Sequence, residues 1–271
     1  MDKAVKVFIV EGENRDLRFI NSLTKAFFSD GEESIIINVP SAGNLYMLYS
    51  ILKADDFETD VVEVIRERID AAKEKLEGIS RKDVTEVYLI YDADLHHTDK
   101  DGRELVTSDI LREMLLTFDN ETENGKLYIS YPMVEAVYDA KVGECEAFSN
   151  CWVDIDDFCS YKMISGKNNP LASRHFNKKE EWGIVLQVFY SRINCLLKTK
   201  GLTYEEYKEI VTPKKIYDVQ SEYIINDLKV FVISALPEIL LDYYREDFWN
   251  SNIDVSKLYK RMYGACNNQF S

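Results

Sequence analysis

Apolar residues in the first half of the chain fall into short continuous runs, and longer segments with periodic apolar positions lie between them. The continuous runs predict β-strands that are buried on both faces, because consecutive apolar residues of a strand point to both sides of the sheet. They cover residues 6–10, 34–39, 84–91 and 127–130. The periodic segments predict amphipathic helices. They cover residues 17–28, 45–52, 60–77 and 108–118.

The alternation of strands and helices determines the predicted fold class. Strands that alternate with helices form a mostly parallel sheet with helices on both faces. From about Trp182 the spacing is helical throughout, and it predicts helices over residues 182–199, 203–211, 217–246, with Pro237 as a break or kink, and 254–263. The sequence therefore predicts an α/β domain with a four-stranded, mostly parallel sheet over residues 1–145. A mainly helical C-terminal region should follow over residues 146–271.

Three acidic residues follow the predicted strands directly. Glu11 comes after the first strand, and Asp92 and Asp94 come after the third. Binding sites in parallel α/β sheets lie at the carboxyl ends of the strands. Alternate residues of a strand point the same way, so Asp92 and Asp94 should lie side by side and repel each other unless a cation separates them. Their hard oxygen ligands favour Mg²⁺ or Mn²⁺, although such a pair on its own is equally typical of a solvated loop or a helix cap.

The order of these short motifs resembles a known family. The sequence Val-Glu-Gly-Glu-Asn at 10–14 resembles the first motif of Toprim domains, and Leu-Ile-Tyr-Asp-Ala-Asp at 89–94 resembles their D-x-D strand. Residues 41–44 and 130–135 are similar to segments of stand-alone Toprim proteins related to the overcoming-lysogenization (OLD) family nucleases. The resemblance covers roughly residues 5–140.

The resemblance implies a metal-dependent nuclease that cleaves phosphodiester bonds in DNA or RNA. Glu11, Asp92 and Asp94 would surround Mg²⁺ or Mn²⁺, and Glu135 would complete a second metal position. A glutamate favoured by the dipole of a helix's first turn is the alternative interpretation of Glu135. Asp16 lies one place later than the acidic residue that often follows the family's glutamate motif.

Two further residues are candidates for contact with the substrate. His96 lies in a polar segment after the D-x-D motif, and Lys141 follows Glu135 by six residues, where its ammonium group would suit a phosphate. A polar loop and an ordinary surface lysine are the alternative interpretations.

The sequence also indicates which partners the chain needs. Residues 165–168, Ser-Gly-Lys-Asn, fail the pattern of a phosphate-binding loop, which requires Gly in place of Tyr161 and Ser or Thr in place of Asn168. The resemblance to OLD-family relatives implies work beside an ATPase of the kind found in phage-defence systems, and that ATPase would be a separate subunit because this chain has no phosphate-binding loop. The net charge of -15 repels nucleic acid and favours docking on a basic partner or self-association.

The location of the chain follows from what its sequence lacks. No apolar stretch reaches the roughly 18 residues that a membrane span requires, and residues 1–6 run into the first strand without a signal-peptide pattern. We therefore expect a cytoplasmic protein. Its five cysteines include no C-x-x-C pair, which predicts reduced and mostly buried thiols.

Two other functions are compatible with the same residues. A haloacid-dehalogenase-like phosphatase also has D-x-D at a strand end, but it requires Thr or Val where this chain has His96, and its D-x-D strand is usually the first. The second alternative is a non-catalytic, Toprim-like interaction subunit.

Overall fold

The computed structural model describes most of the chain. The described residues are 4–12, 15–28, 33–38, 43–93, 108–140, 151–165 and 178–255. The chain divides into two compact units, Met1–Tyr128 and Ile129–Ser271.

A five-stranded, mostly parallel mixed sheet with flanking helices forms the α/β part of the protein. Its strands are β1 (Val5–Val10), β2 (Glu33–Asn38), β3 (Val84–Asp92), β4 (Asp119–Asn120) and β5 (Gly125–Ser130), in the order β2-β1-β3-β5-β4. Strand β1 pairs in parallel with β2 and β3, and β4 pairs with β5 in the antiparallel direction. The α/β class and the four predicted strands are confirmed. The fifth strand, β4, was not predicted, because its two residues are polar and show no hydrophobic pattern.

The helices of the first unit agree with the predicted periodicity except at one residue. They are α1 (Arg15–Phe27), α2 (Gly43–Ala54), α3 (Val61–Arg68), α4 (Asp70–Lys75) and α5 (Ser108–Thr117). The single helix predicted over residues 60–77 is wrong, because Ile69 is extended, with φ −124° and ψ 111°, and separates α3 from α4. The apolar spacing continues across Ile69 unchanged, and it therefore gave no sign of the break.

A charged pair lies within the otherwise apolar centre of the sheet. Lys6 on β1 is 2% exposed, and its Nζ lies 2.6 Å from Oε2 of Glu86 on β3. A bulge at Thr85 shifts the register so that Lys6 stands opposite Glu86. The same carboxylate oxygen accepts a hydrogen bond of 2.6 Å from the Tyr88 hydroxyl. The pair therefore satisfies a buried ammonium group that would otherwise be costly.

The second unit is mainly helical, as predicted, and also contains a small antiparallel sheet. Its α-helices are α6 (Tyr161–Ile164), α7 (Lys179–Leu196), α8 (Tyr204–Ile210), α9 (Pro213–Asp227), α10 (Ala235–Tyr243) and α11 (Glu246–Asn252). Strands β6 (Trp152–Asp154) and β7 (Lys229–Phe231) form the sheet, and 3₁₀ helices cover Val134–Asp139 and Ile155–Ser160.

The prediction of one helix over residues 217–246 is wrong. Helix α9 ends at Asp227, Leu228 takes a left-handed conformation with φ 52°, and β7 follows before α10 begins. Pro237 is neither a break nor a kink, because it lies in the first turn of α10, where a proline needs no N–H. The helix predicted over residues 254–263 lies mostly outside the described residues.

Two expectations, the lack of a membrane span and the burial of the cysteines, can be compared with the described part of the chain. No helix there has the length and apolar character that a membrane crossing requires. Cys151 and Cys195 are buried and form no disulfide, as expected, and the side chains of the other cysteines lie outside that part.

The Lys6–Glu86 pair predicts an asymmetric response to substitution. Glu86→Ala should lower the free energy of unfolding by about 3–5 kcal/mol, because it leaves the Lys6 ammonium buried without this carboxylate. Lys6→Met should cost clearly less, because Glu86 is 19% exposed and keeps the Tyr88 hydroxyl. Urea denaturation of both variants measures the difference.

The Lys53–Glu113 pair provides a matched control. Its N–O distance is also 2.6 Å, and Glu113 also accepts a hydrogen bond from a tyrosine, Tyr49, but both charged side chains are more than half exposed. Glu113→Ala should therefore cost far less than Glu86→Ala. Equal losses for the two alanine variants would contradict the importance that we assign to burial.

Candidate metal site at the carboxyl edge of the sheet

The parallel pairing of β1 with β3 places Glu11 and Asp92 at the same edge of the sheet. Val10, the last residue of β1, stands opposite Ile90. Glu11 therefore leaves β1 beside the end of β3, where Tyr91 and Asp92 lie. Neighbouring strands are about 4.8 Å apart, so the two acidic residues come from adjacent positions on one edge. Both side chains are half-buried.

Tyr91, the residue before Asp92, lies at the same edge of the sheet as the two acids. The hydrophobic pattern did not indicate a role for it. Its side chain is buried, and its hydroxyl has no hydrogen-bond partner within the described structure. Burial, and then the negative charge of Glu11, raises the pKa of Tyr91 well above its ordinary value. The phenol therefore stays neutral at physiological pH and offers an O–H donor beside the Glu11 carboxylate.

The turn after Glu11 is held by Asp16. Oδ2 of Asp16 accepts a hydrogen bond of 2.8 Å from the Gly12 N–H, and Asp16 is itself buried in the first turn of α1. A Cβ atom at position 12 would lie 2.5 Å from the Asp16 carboxyl group. A side chain at position 12 would therefore displace the Asp16 carboxyl group from this hydrogen bond. Asp16 therefore has a structural role in this turn, although its position does not match the family pattern.

Glu135 belongs to the second unit, where it lies in the first turn of the 3₁₀ helix Val134–Asp139. Its side chain is buried, and its Oε1 lies 3.7 Å from Nζ of Lys162, which is largely exposed. The first-turn position agrees with the alternative interpretation of Glu135. Ligation of a metal by Glu135 stays a prediction.

The other end of that 3₁₀ helix is fixed by residues that the sequence did not single out for this purpose. Tyr161, considered above only as a mismatch to a phosphate-binding loop, donates a hydrogen bond to Oδ2 of Asp139. The buried guanidinium of Arg192 donates to the carbonyl oxygens of Asp139 at 2.7 Å and of Val232 at 3.2 Å. These partners are 22 to 53 residues from Asp139 or Arg192 in the sequence, so no local pattern reveals them.

The remaining predicted site residues, Asp94, His96 and Lys141, lie outside the described residues. Among the residues that the structure does describe, no group of three or more His, Cys, Asp or Glu side chains could hold a metal ion. The convergence of Asp94 with Glu11 and Asp92 stays a prediction. The carboxylate oxygens of Glu11 and Asp92 suit a hard divalent cation in their chemistry, and the pairing of β1 with β3 places both residues at one edge of the sheet.

The contact between Gly12 and Asp16 predicts strong coupling between the two positions. Gly12→Ala should lower the free energy of unfolding by about 1–3 kcal/mol, because the added methyl group overlaps the Asp16 carboxyl group. In an Asp16→Ala background, the same substitution should cost much less. A double-mutant cycle measured by urea denaturation tests this expectation. Additive costs would show that the carboxyl group is not what excludes a side chain at position 12.

Comparison of the chain with protein-family models, with curated proteins and with solved structures found no match in any of the three.

Proposed function

We propose that this protein is a cytosolic nuclease that cleaves phosphodiester bonds in DNA or RNA with the help of Mg²⁺ or Mn²⁺. The observation that supports the proposal is that Glu11 directly follows β1 and Asp92 ends the neighbouring parallel strand β3, at the carboxyl edge of the sheet. This edge is where α/β sheets bind their ligands. The order of the motifs resembles that of Toprim nucleases, and this resemblance is the reason for proposing a nuclease.

The proposed roles of the residues follow from their chemistry. Glu11 and Asp92, together with Asp94, would hold the cation through carboxylate oxygens, and the resemblance implies Glu135 as a ligand at a second position. A bound divalent cation lowers the pKa of coordinated water and neutralises charge on the phosphate. The Asp16 contact would keep the turn after Glu11 in place. The neutral Tyr91 hydroxyl would orient the Glu11 carboxylate by donating a hydrogen bond when the two approach each other.

We also propose that the nuclease is a regulated effector that works with a separate ATPase. The net charge of -15 gives no general attraction to nucleic acid, which favours a partner that brings the substrate or that docks on the acidic surface. An unregulated nuclease in the cytosol would damage the cell. The failed phosphate-binding loop supports an ATPase on another chain.

The activity is tested with the purified full chain, Mg²⁺ or Mn²⁺, and a panel of DNA and RNA substrates. Cleavage should require the metal and should disappear in Glu11→Gln and Asp92→Asn. Glu123→Gln is the matched control, because Glu123 is an exposed acid in the turn between β4 and β5, and its carbonyl oxygen accepts a hydrogen bond from Arg81, which precedes the amino end of β3. Its loss should leave cleavage unchanged.

The same assay tests regulation. Weak cleavage that increases when an ATPase partner is added would support a regulated effector. Strong cleavage by the isolated chain at physiological Mg²⁺ would contradict regulation while supporting the nuclease. Metal-dependent release of phosphate from a phosphomonoester, without cleavage of nucleic acid, would instead indicate a phosphatase.

The proposed metal site predicts that Asp92→Ala has different effects on stability in chelator and in Mn²⁺. In chelator, Asp92→Ala should unfold at the same temperature as the wild type or slightly higher, because adjacent carboxylates in a metal-free site repel each other. At an Mn²⁺ concentration of about 100 times Kd, the wild type should gain about 2.7 kcal/mol, and the variant should gain little. Thermal unfolding with and without Mn²⁺ measures both effects.

Two outcomes would contradict this prediction. A large loss of stability for Asp92→Ala in chelator would make Asp92 a structural cap. An equal response of both proteins to Mn²⁺ would mean that the ion binds elsewhere.

A further inference from the structure

Three buried hydroxyl groups in the second unit lack a hydrogen-bond partner within the described structure. They belong to Tyr131, Tyr207 and Ser234, whose exposed fractions are 2%, 1% and 0%. A buried hydroxyl with no partner is costly, and native proteins contain few of them. Tyr131 and Ser234 lie at the start of α10, and Tyr207 lies on α8, which an ion pair joins to the last turn of α10.

Backbone contacts fix Tyr131 beside the start of α10. The Tyr131 N–H donates to the Ile233 carbonyl at 2.7 Å, and the Ile233 N–H donates to the Tyr131 carbonyl at 3.0 Å. The N–H of Ala235, the first residue of α10, donates to the Ser130 hydroxyl at 3.2 Å. Tyr131 is therefore held within a few residues of Ser234 and the first turn of α10.

An ion pair joins α8, the helix that carries Tyr207, to α10, and an aromatic contact holds the Tyr207 ring. Its neighbour Lys208, on α8, lies 3.6 Å from Asp242 on α10. Asp242 comes four residues after Glu238 and therefore lies on the same face of α10, one turn further along. The Tyr207 ring packs against Trp249, with a distance of 4.8 Å between the ring centroids. Trp249 belongs to α11, and this packing leaves the buried Tyr207 hydroxyl little freedom to turn towards solvent.

Glu238 lies on α10, four residues after the N-cap Ser234, and is 2% exposed. After burial, its charge is the largest influence that raises the pKa of Tyr131 and of Tyr207 well above their ordinary values. Both phenols are therefore neutral donors within electrostatic reach of one carboxylate. Neither hydroxyl forms a hydrogen bond with it.

We propose that Tyr131, Tyr207 and Glu238 form an internal binding site for ordered water. Water has the chemistry that this arrangement needs, since it accepts hydrogen bonds from the two phenols and donates to the carboxylate. Buried waters in globular proteins commonly make about three such bonds and stabilise groups that cannot meet directly. The site would join α8, α10 and the segment at Tyr131 within the second unit, and it is independent of the proposed nuclease activity.

Substitution of each tyrosine by phenylalanine tests the proposal, because the two possible states of the hydroxyl give opposite signs. If water accepts from the phenols, Tyr131→Phe and Tyr207→Phe should each raise the unfolding equilibrium constant about five- to tenfold. If the hydroxyls are unsatisfied, the same changes should lower it or leave it unchanged. Tyr190→Phe calibrates the loss of a direct bond, because the Tyr190 hydroxyl donates to the Leu202 carbonyl at 2.6 Å.

Glu238→Gln, combined with each phenylalanine variant, tests whether the bonds reach the carboxylate. The two tyrosine substitutions should be coupled to Glu238→Gln by at least about threefold in the unfolding constant, whereas Tyr190→Phe should be additive with it. A crystal structure of the full chain at high resolution should show water density between the phenols and Glu238. Absence of that density, additivity for both tyrosines, or a decrease of the unfolding constant in both phenylalanine variants would overturn the proposal.

Discussion

Parallel hydrogen bonding between β1 and β3 determines which side chains share the candidate site. The two strands are separated by more than 70 residues in sequence, yet their register sets Val10 opposite Ile90 and so brings Glu11 beside the end of β3. A shift of the register by one residue would move a strand's side chains to the opposite face. The carboxyl edge that we propose as the metal site therefore depends on this pairing more than on any contact between the acids themselves.

The buried Lys6–Glu86 pair lies on the same two strands and contributes to their alignment. Only one register places the ammonium group opposite the carboxylate, and the bulge at Thr85 makes that register possible. Any other alignment would leave a buried charge without its partner, at a high cost. Apolar residues alone would stabilise several alignments of two valine- and isoleucine-rich strands. The charged pair therefore adds specificity where the hydrophobic contacts supply most of the stability.

The parts of the structure that the sequence predicted are those encoded by local patterns. Continuous apolar runs identified four of the five strands of the main sheet, and periodic spacing identified most helices. The errors arise where local pattern and tertiary environment differ. Ile69 has an apolar position typical of a helix but is extended, and the Lys-Val-Phe sequence of β7 was included in a long predicted helix although it pairs with β6. The strand-end positions of Glu11 and Asp92 were predictable because strand ends are visible in the sequence. The cluster around Glu238, in contrast, depends on contacts between residues that are distant in the sequence.

The brevity of β4 has a consequence for how the sheet meets other molecules. It lies at an edge of the sheet, and it contributes only Asp119 and Asn120 to pairing with β5. A long apolar edge strand would present a row of free N–H and C=O groups to another chain, which is a common route to aggregation. Two polar residues followed by the turn at 121–124 present few such groups. This edge of the sheet therefore resists extension by a further strand, and chain association through continuous β-pairing is disfavoured on that side.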